Sequence, residues 1–434
     1  MGLKEEFINI AEKAASASRF MLTVSSATKN KALKGMALAL IRKKDSIIRA
    51  NKKDIAKAAA AKLSSAFIDR LTLSAKRIRE MSDSLVEISK LNDPVGEVIK
   101  AWRRPNGLWI HKVRVPIGVI AIIYESRPNV TSDCIGLCFK SGNSVILRGG
   151  SEALNSNIAI YQILKDVIKK HGISENIINL VATTDRRAVD VLLKLNNYID
   201  LVIPRGGEGL INRVISLSRI PLIKHYKGIC HVYVDEWADL NMAEDICYNA
   251  KVQRPGVCNA MESMLVHRDA AARFLPQMLK KFKEAGVEIR GCSMTQRIVN
   301  GSTALTIDTE QGRSVKGIRL ATEKDYRTEY LDLILSVKVV NDLNEAIRHI
   351  NHYGSHHSDS IVTENYENAL EFLRKVDSAC VYVNASTRFT DGYQFGLGAE
   401  IGISTDKLHA RGPMALEELT TYKYMVFGSG QVRE

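Results

Sequence analysis

Apolar residues over the first ninety positions recur every three or four residues, the spacing of one helix face. Residues 3–90 therefore read as a run of helices, alanine-rich at 56–61, with Asp54 and Ser64 as candidate caps. Asp93-Pro94-Val95-Gly96 breaks the pattern. Over 98–115 the flanks turn β-compatible, with Trp102, Trp109, Ile110 and Val113 around Pro105-Asn106-Gly107, which predicts a hairpin with an Asn-Gly turn. Its alternating apolar positions would be exposed on a lone subunit, so the hairpin is expected to pack against another copy.

Pro116 opens a different regime. The continuous apolar run 119–124 has the look of a central parallel strand. Strands at 144–148, 177–181 and 201–203 then alternate with helices at 130–140, 156–171, 186–195 and 210–218, and 221–223 and 231–234 continue the rhythm. A second α/β unit begins near 236: helix 239–253, strand 264–267, helix 270–285, strand 287–289. Residues 291–330 read as short strands and loops; 343–351 and 366–376 read as helices, 360–363 and 379–383 as strands. The tail is Gly- and Thr-rich until a helix expected at 415–422. Alternation at this spacing predicts doubly wound α/β sheets.

Composition adds a setting. The chain has 434 residues and no apolar run long enough to span a membrane, and its first residues lack a signal peptide's apolar core. Phe7 stands where a myristoylation motif needs Ser or Thr. Seven cysteines without a C-x-x-C pair or zinc spacing fit a reducing compartment, so the cytoplasm is expected and no metal is. The net charge of +13 resides in residues 1–114, which hold 24 basic and 11 acidic residues. On amphipathic helices such lysines form a solvated face, and no aromatic-studded basic motif accompanies them, so neither nucleic acid nor membrane is an expected partner.

Candidate chemistry centres on Cys258. Pro255 and Gly256 end the preceding helix and leave the cysteine on a turn, where exposed backbone N–H groups lower a thiol's pKa and hold an oxyanion. The competing reading is a small buried hydrophobe, the commoner fate of an isolated cysteine. Two glycine clusters follow strands: Arg148-Gly149-Gly150-Ser151, and Arg205-Gly206-Gly207-Glu208-Gly209, which opens a helix. Neither is a specific nucleotide fingerprint, and a plain turn explains either alone. Together, each beside an arginine, they favour a phosphorylated dinucleotide.

Longer strings sharpen this. VRVPIGVIAIIYESRPNV (113–130), SGNSVILRGGSE (141–152), IPRGGEGLI (203–211), GICHVYVD (228–235), NAKVQRPGVCNAME (249–262) and GLGAEIGISTDKLHARGP (396–413) resemble the γ-glutamyl phosphate reductases, also called glutamate-5-semialdehyde dehydrogenases. These belong to the aldehyde dehydrogenase superfamily. The resemblance runs nearly end to end, with departures such as Ser126 in place of alanine. It implies an aldehyde-dehydrogenase-like α/β fold: an NADPH-binding domain (1–97, 116–235, 361–384), a catalytic domain (236–360), and an oligomerisation hairpin and tail (98–115, 385–434). The implied reaction is NADPH-dependent reduction of L-glutamyl 5-phosphate to glutamate 5-semialdehyde with release of phosphate, in proline biosynthesis. Glutamate 5-kinase is a conceivable supplier, and a homo-oligomer is the implied assembly.

By the same resemblance Cys258 forms a thioester and Asn129 holds the oxyanion. His225 stands where hydrolytic relatives carry the glutamate that activates water. Gly150 or Ser151 replaces the acid that holds the ribose of NAD, with Arg148 alongside for a 2′-phosphate. Glu329 matches the glutamate that holds the nicotinamide ribose. Arg127, Arg254, His409 and Arg411 are candidates for the anionic substrate, with surface or intersubunit ion pairs as their alternative. Two other readings compete: an acyl-CoA-linked aldehyde dehydrogenase, and a basic RNA- or membrane-binding protein on a retired enzyme scaffold.

Overall fold

The computed structural model describes residues 2–125, 127–224, 227–301 and 318–433, so the expectations for Ser126 and His225 lie outside the described residues. The chain divides into two compact units, Met1–Lys224 with Phe395–Gly402 and Pro413–Glu434, and His225–Gln394 with Ile403–Gly412. No described helix is long and apolar enough to cross a membrane.

The first unit is built on four parallel strands, β3 (Val119–Tyr124), β4 (Ser144–Arg148), β5 (Ile178–Leu180) and β6 (Leu201–Arg205), in the order β5-β4-β3-β6. Every residue of β3 is buried, which is why it lacks polar alternation. The N-terminal helix Leu3–Met21 lays Phe7, Ala11 and Ala14 against Val119, Ala121 and Ile123 of that strand. Some of the basic surplus is structural: Lys29 is buried and pairs with Asp93 at 2.9 Å.

A separate three-stranded sheet joins β1 (Val98–Arg103) and β2 (Trp109–Pro116) to the C-terminal strand Thr420–Phe427. The hairpin is present, but its turn differs from the one expected. Gly107 N–H bonds Arg104 C=O at 2.9 Å, so Pro105 takes the second turn position, and Gly107 (φ +90°) rather than Asn106 adopts the left-handed backbone. The helix expected at 415–422 is also corrected. Residues 420–427 run antiparallel to β2, from Thr420 opposite Pro116 to Phe427 opposite Trp109, and their Thr, Tyr, Val and Phe content suits that strand.

The second unit holds a seven-stranded parallel sheet. Its strands are β7 (Cys230–Val234), β8 (Met261–His267), β9 (Glu288–Gly291), β10 (Arg319–Leu320), β11 (Ile334–Val340), β12 (Ser358–Val362) and β13 (Cys380–Val383), ordered β10-β9-β11-β8-β7-β12-β13. Residues 230–235 and 361–384, expected with the first domain, thus belong to this sheet, because β7 and β12 pair with each other and with β8 and β13. Residues 221–223 contribute only one bridge, Leu222 to Val202. Within the pattern-poor stretch a helix forms at Ser293–Asn300, capped by the Cys292 thiol, which accepts the Thr295 N–H. The core is packed by Val232, Val234, Met264, Val266, Phe274, Leu275 and Phe282, with Cys247 and Ala250 from the helix Leu240–Val252.

Candidate active site

The helix Leu240–Val252 starts on Asp239, whose carboxylate accepts the N–H groups of Asn241 and Met242. It ends before Pro255, and the turn that follows is closed by Ala260 N–H to Val257 C=O at 3.1 Å. Cys258 sits on this turn with its thiol half-buried, directly ahead of β8. Two features fix the turn. Gly228 approaches so closely that a Cβ there would fall within 2.5 Å of Cys258 Cα and nearer still to its carbonyl oxygen. That carbonyl accepts the Cys230 thiol at 3.2 Å. Cys230 itself is fully buried, and burial raises its pKa well above the ordinary thiol range, so this neighbouring cysteine is a packing residue and not a ready nucleophile.

Below the turn, Lys251 Nζ meets Glu262 Oε2 at 2.7 Å with both side chains buried. Burial pushes Glu262 up to about 7 against the pull of Lys251, and burial lowers Lys251 against the pull of Glu262. The other Glu262 oxygen accepts Leu331 N–H at 3.0 Å, at a non-glycine residue held at φ +54°. Two residues before it, half-buried Glu329 accepts Gly228 N–H at 2.8 Å. The buried pair thus ties the elements flanking the cysteine turn to the Leu331 loop, and that loop reaches Gly228 through Glu329.

Arg388 completes this neighbourhood. It lies in the 3-10 turn Thr387–Phe389; its Nε donates to Gln253 Oε1 at 3.0 Å and its Nη1 to Asn259 Oδ1. Asn259 is itself fixed, donating to Thr390 C=O at 2.8 Å and accepting Thr387 Oγ1 on its carbonyl at 2.7 Å. Arg254 is exposed beside the same turn.

The other expected residues fall as follows. Asn129 begins the helix Asn129–Lys140 in the first unit, where its Nδ2 donates to Asp133 at 3.2 Å. Burial raises Asp133 to about 6. Arg127 is half-buried, with its N–H on Glu125 C=O. Arg205 lies against Gly402, and the Gly207 N–H, at the cap of the helix Glu208–Leu217, goes to Glu125 Oε2 at 2.9 Å. Gly209 lies inside that helix. His409 is exposed with φ +68°. Arg411 is committed to Asp377, by Nη1 at 2.8 Å to the carboxylate and Nη2 at 2.9 Å to the carbonyl; with Lys407 it holds that carboxyl down to about 2.

Arg148 ends β4, in the first unit. Its Nη1 donates to Gly149 C=O at 3.0 Å, while its buried Nε has no hydrogen-bond partner among the described residues. Burial lowers its pKa, Glu152 opposes that shift, and Arg186 adds to it. An orphaned guanidinium N–H beside a second arginine fits a phosphate ester. A carboxylate stands nearby: Glu152 Oε1 accepts the Ser151 hydroxyl at 3.1 Å.

Sequence reasoning missed Lys251, Glu262 and Arg388. The first two lay inside the quoted string 249–262, eleven residues apart, and their types alone hinted at a pair. Arg388 had no such signal, because it reaches the turn only through the packing of β13 and its following loop.

Comparison with known proteins gives a match to the aldehyde dehydrogenase family over residues 2–296 and 322–424. The chain is 56% identical to the γ-glutamyl phosphate reductase of Thermodesulfovibrio yellowstonii over 434 residues, all of both chains. It is 54% identical to that of Clostridium acetobutylicum over 434 residues, again all of both chains. The crystal structure of the γ-glutamyl phosphate reductase of Thermotoga maritima superposes with a TM-score of 0.92 at 48% identity, covering 98% of this chain and 99% of that one.

Proposed function

The chain belongs to the aldehyde dehydrogenase family, among its γ-glutamyl phosphate reductases, and we propose that it reduces L-glutamyl 5-phosphate to glutamate 5-semialdehyde through a Cys258 thioester, with NADPH as reductant. The observation that carries this reading is a half-buried thiol on a turn fixed by Gly228 and the Lys251–Glu262 pair, in a chain matched end to end by reductases.

The Cys258 thiolate attacks the acyl carbon, and phosphate, a good leaving group, departs to leave the thioester. Asn129 serves as an oxyanion donor, with the Nδ2 that now rests on Asp133 as the group concerned. Bound NADPH supplies the hydride that takes the acyl group to the aldehyde level. Cys258 then leaves as thiolate and the aldehyde is released. Arg148, with its orphaned Nε and Arg186 near it, would hold the 2′-phosphate.

The exposed apolar side chains of the three-stranded sheet support self-association. Trp109, Tyr424, Val426 and Phe427 are each more than half exposed there. A glutamate kinase that hands over the labile acyl phosphate is the proposed supplier.

The thioester is tested by mixing enzyme, without cofactor, with acyl phosphate made in place by such a kinase, then quenching in acid. A glutamyl adduct on the Cys258 peptide, absent from Cys258→Ala, is expected. Single-turnover phosphate release from folded Cys258→Ala at the wild-type rate would remove the thioester from the mechanism.

A further inference from the structure

We infer that Arg388, with Arg254 beside it, forms the subsite for the phosphate group, the leaving group of the acyl phosphate and the attacking anion in reverse. The inference rests on the reductase reading and deepens it at one residue.

The geometry is that of a guanidinium aimed by its neighbours. Nε is held by Gln253 and Nη1 by Asn259, the residues five before and one after the nucleophile. Asn259 is held in turn by the Thr390 carbonyl and the Thr387 hydroxyl, so the fork has little freedom to swing away. Both anchors are neutral amides. Among the described residues no carboxylate forms an ion pair with Arg388 or with Arg254. Asp391, the acid that Arg388 feels, spends Oδ1 on the N–H groups of Tyr393 and Gln394.

A half-buried guanidinium next to a second cation, offset only by the unpaired charge of Asp391, is unfavourable in the empty protein. Burial and the charge of Arg254 both lower its pKa, and the charge of Cys258 works the other way, so the fork and the thiol feel each other. An anion arriving at this place offsets both the burial of the guanidinium and its repulsion from Arg254. The planar fork suits the paired oxygens of a phosphate, and the remaining Nη2 is uncommitted among the described residues.

The step needs such a group. As the C–S bond forms and the C–O bond to phosphate breaks, the electron pair goes to the phosphate oxygen. Cations held beside that oxygen stabilise the departing charge without moving. The opposite end of the substrate, its α-carboxylate, lies several bonds away and needs a different ligand.

The test measures apparent KM values for phosphate, semialdehyde and NADP⁺ in the reverse reaction. In Arg388→Gln the phosphate KM is expected to rise roughly 10–100-fold, the loss of a hydrogen bond to a charged group. The other two KM values should stay within about two-fold, and Arg388→Lys should recover part of the loss. A rise confined to the semialdehyde KM would assign Arg388 to the carboxylate and overturn the inference. So would a fall in kcat and melting temperature with all KM values unchanged, which would make Arg388 a brace for the turn. A second readout does not depend on turnover. Inorganic phosphate, against chloride at equal ionic strength, should slow alkylation of Cys258 in the wild type and not in Arg388→Gln. Equal protection in both overturns the inference, whereas a wild-type reverse reaction indifferent to phosphate would overturn the reductase reading instead.

Discussion

Lys251 and Glu262 face each other at 2.7 Å beneath the Cys258 turn, one at the end of a helix and the other within β8, and neither side chain reaches solvent. The pair spans the two elements that flank Cys258, and Glu262 also holds the Leu331 N–H. It is a brace for the site more than a source of net stability, because burial costs each ion nearly what their contact returns.

Removing one partner strands the other. Lys251→Met alone should destabilise the protein by about 3–5 kcal/mol. The double variant Lys251→Met/Glu262→Gln should cost less than the sum of the two single changes, measured by urea unfolding. Strict additivity would show that the two do not work as a pair.

Gly228 is required for close approach. An alanine there must displace the Cys258 backbone, and a shift of about 1 Å at a nucleophile costs roughly 100-fold in rate. Gly228→Ala should therefore lose kcat by about that factor while the melting temperature falls modestly. A variant with wild-type kcat would mean that the Gly228 segment yields instead.

On the proposed reading, Arg148 sets cofactor choice. Arg148→Gln should raise the KM for NADPH about tenfold or more, from one lost charge-assisted contact, and leave the KM for NADH nearly unchanged. Equal weakening of both cofactors would place the arginine away from the 2′-phosphate.

The exposed sheet should be an assembly surface. Tyr424→Ser with Val426→Ser removes two side chains on one face of the strand, each more than half exposed, so the monomer's stability should change little. Light scattering after size-exclusion should show a smaller assembly than the wild type; an unchanged mass would remove this face from the interface.

What was legible in the sequence follows from where each element finds its partner. Val119–Tyr124 and Ser144–Arg148 read correctly because strands buried on both faces carry continuous apolar runs. Residues 420–427 misled because their partner, Trp109–Pro116, lies some three hundred positions earlier, and pairing across that distance leaves no local trace. The same holds for 361–384: helix–strand rhythm announced β12 and β13 but not which sheet they join. Cys258 and its turn were visible through Pro255 and Gly256. The guanidinium beside it was not, because Arg388 meets Asn259 only after the sheet has formed.

The most direct measurement is the reverse reaction, with glutamate 5-semialdehyde and NADP⁺, phosphate titrated, and NADPH absorbance read for wild type and Cys258→Ala. NADPH formation should depend on phosphate, saturate with it, and vanish in the variant. Full-rate NADPH formation without phosphate, or persistence in folded Cys258→Ala, would contradict a cysteine thioester resolved by phosphate.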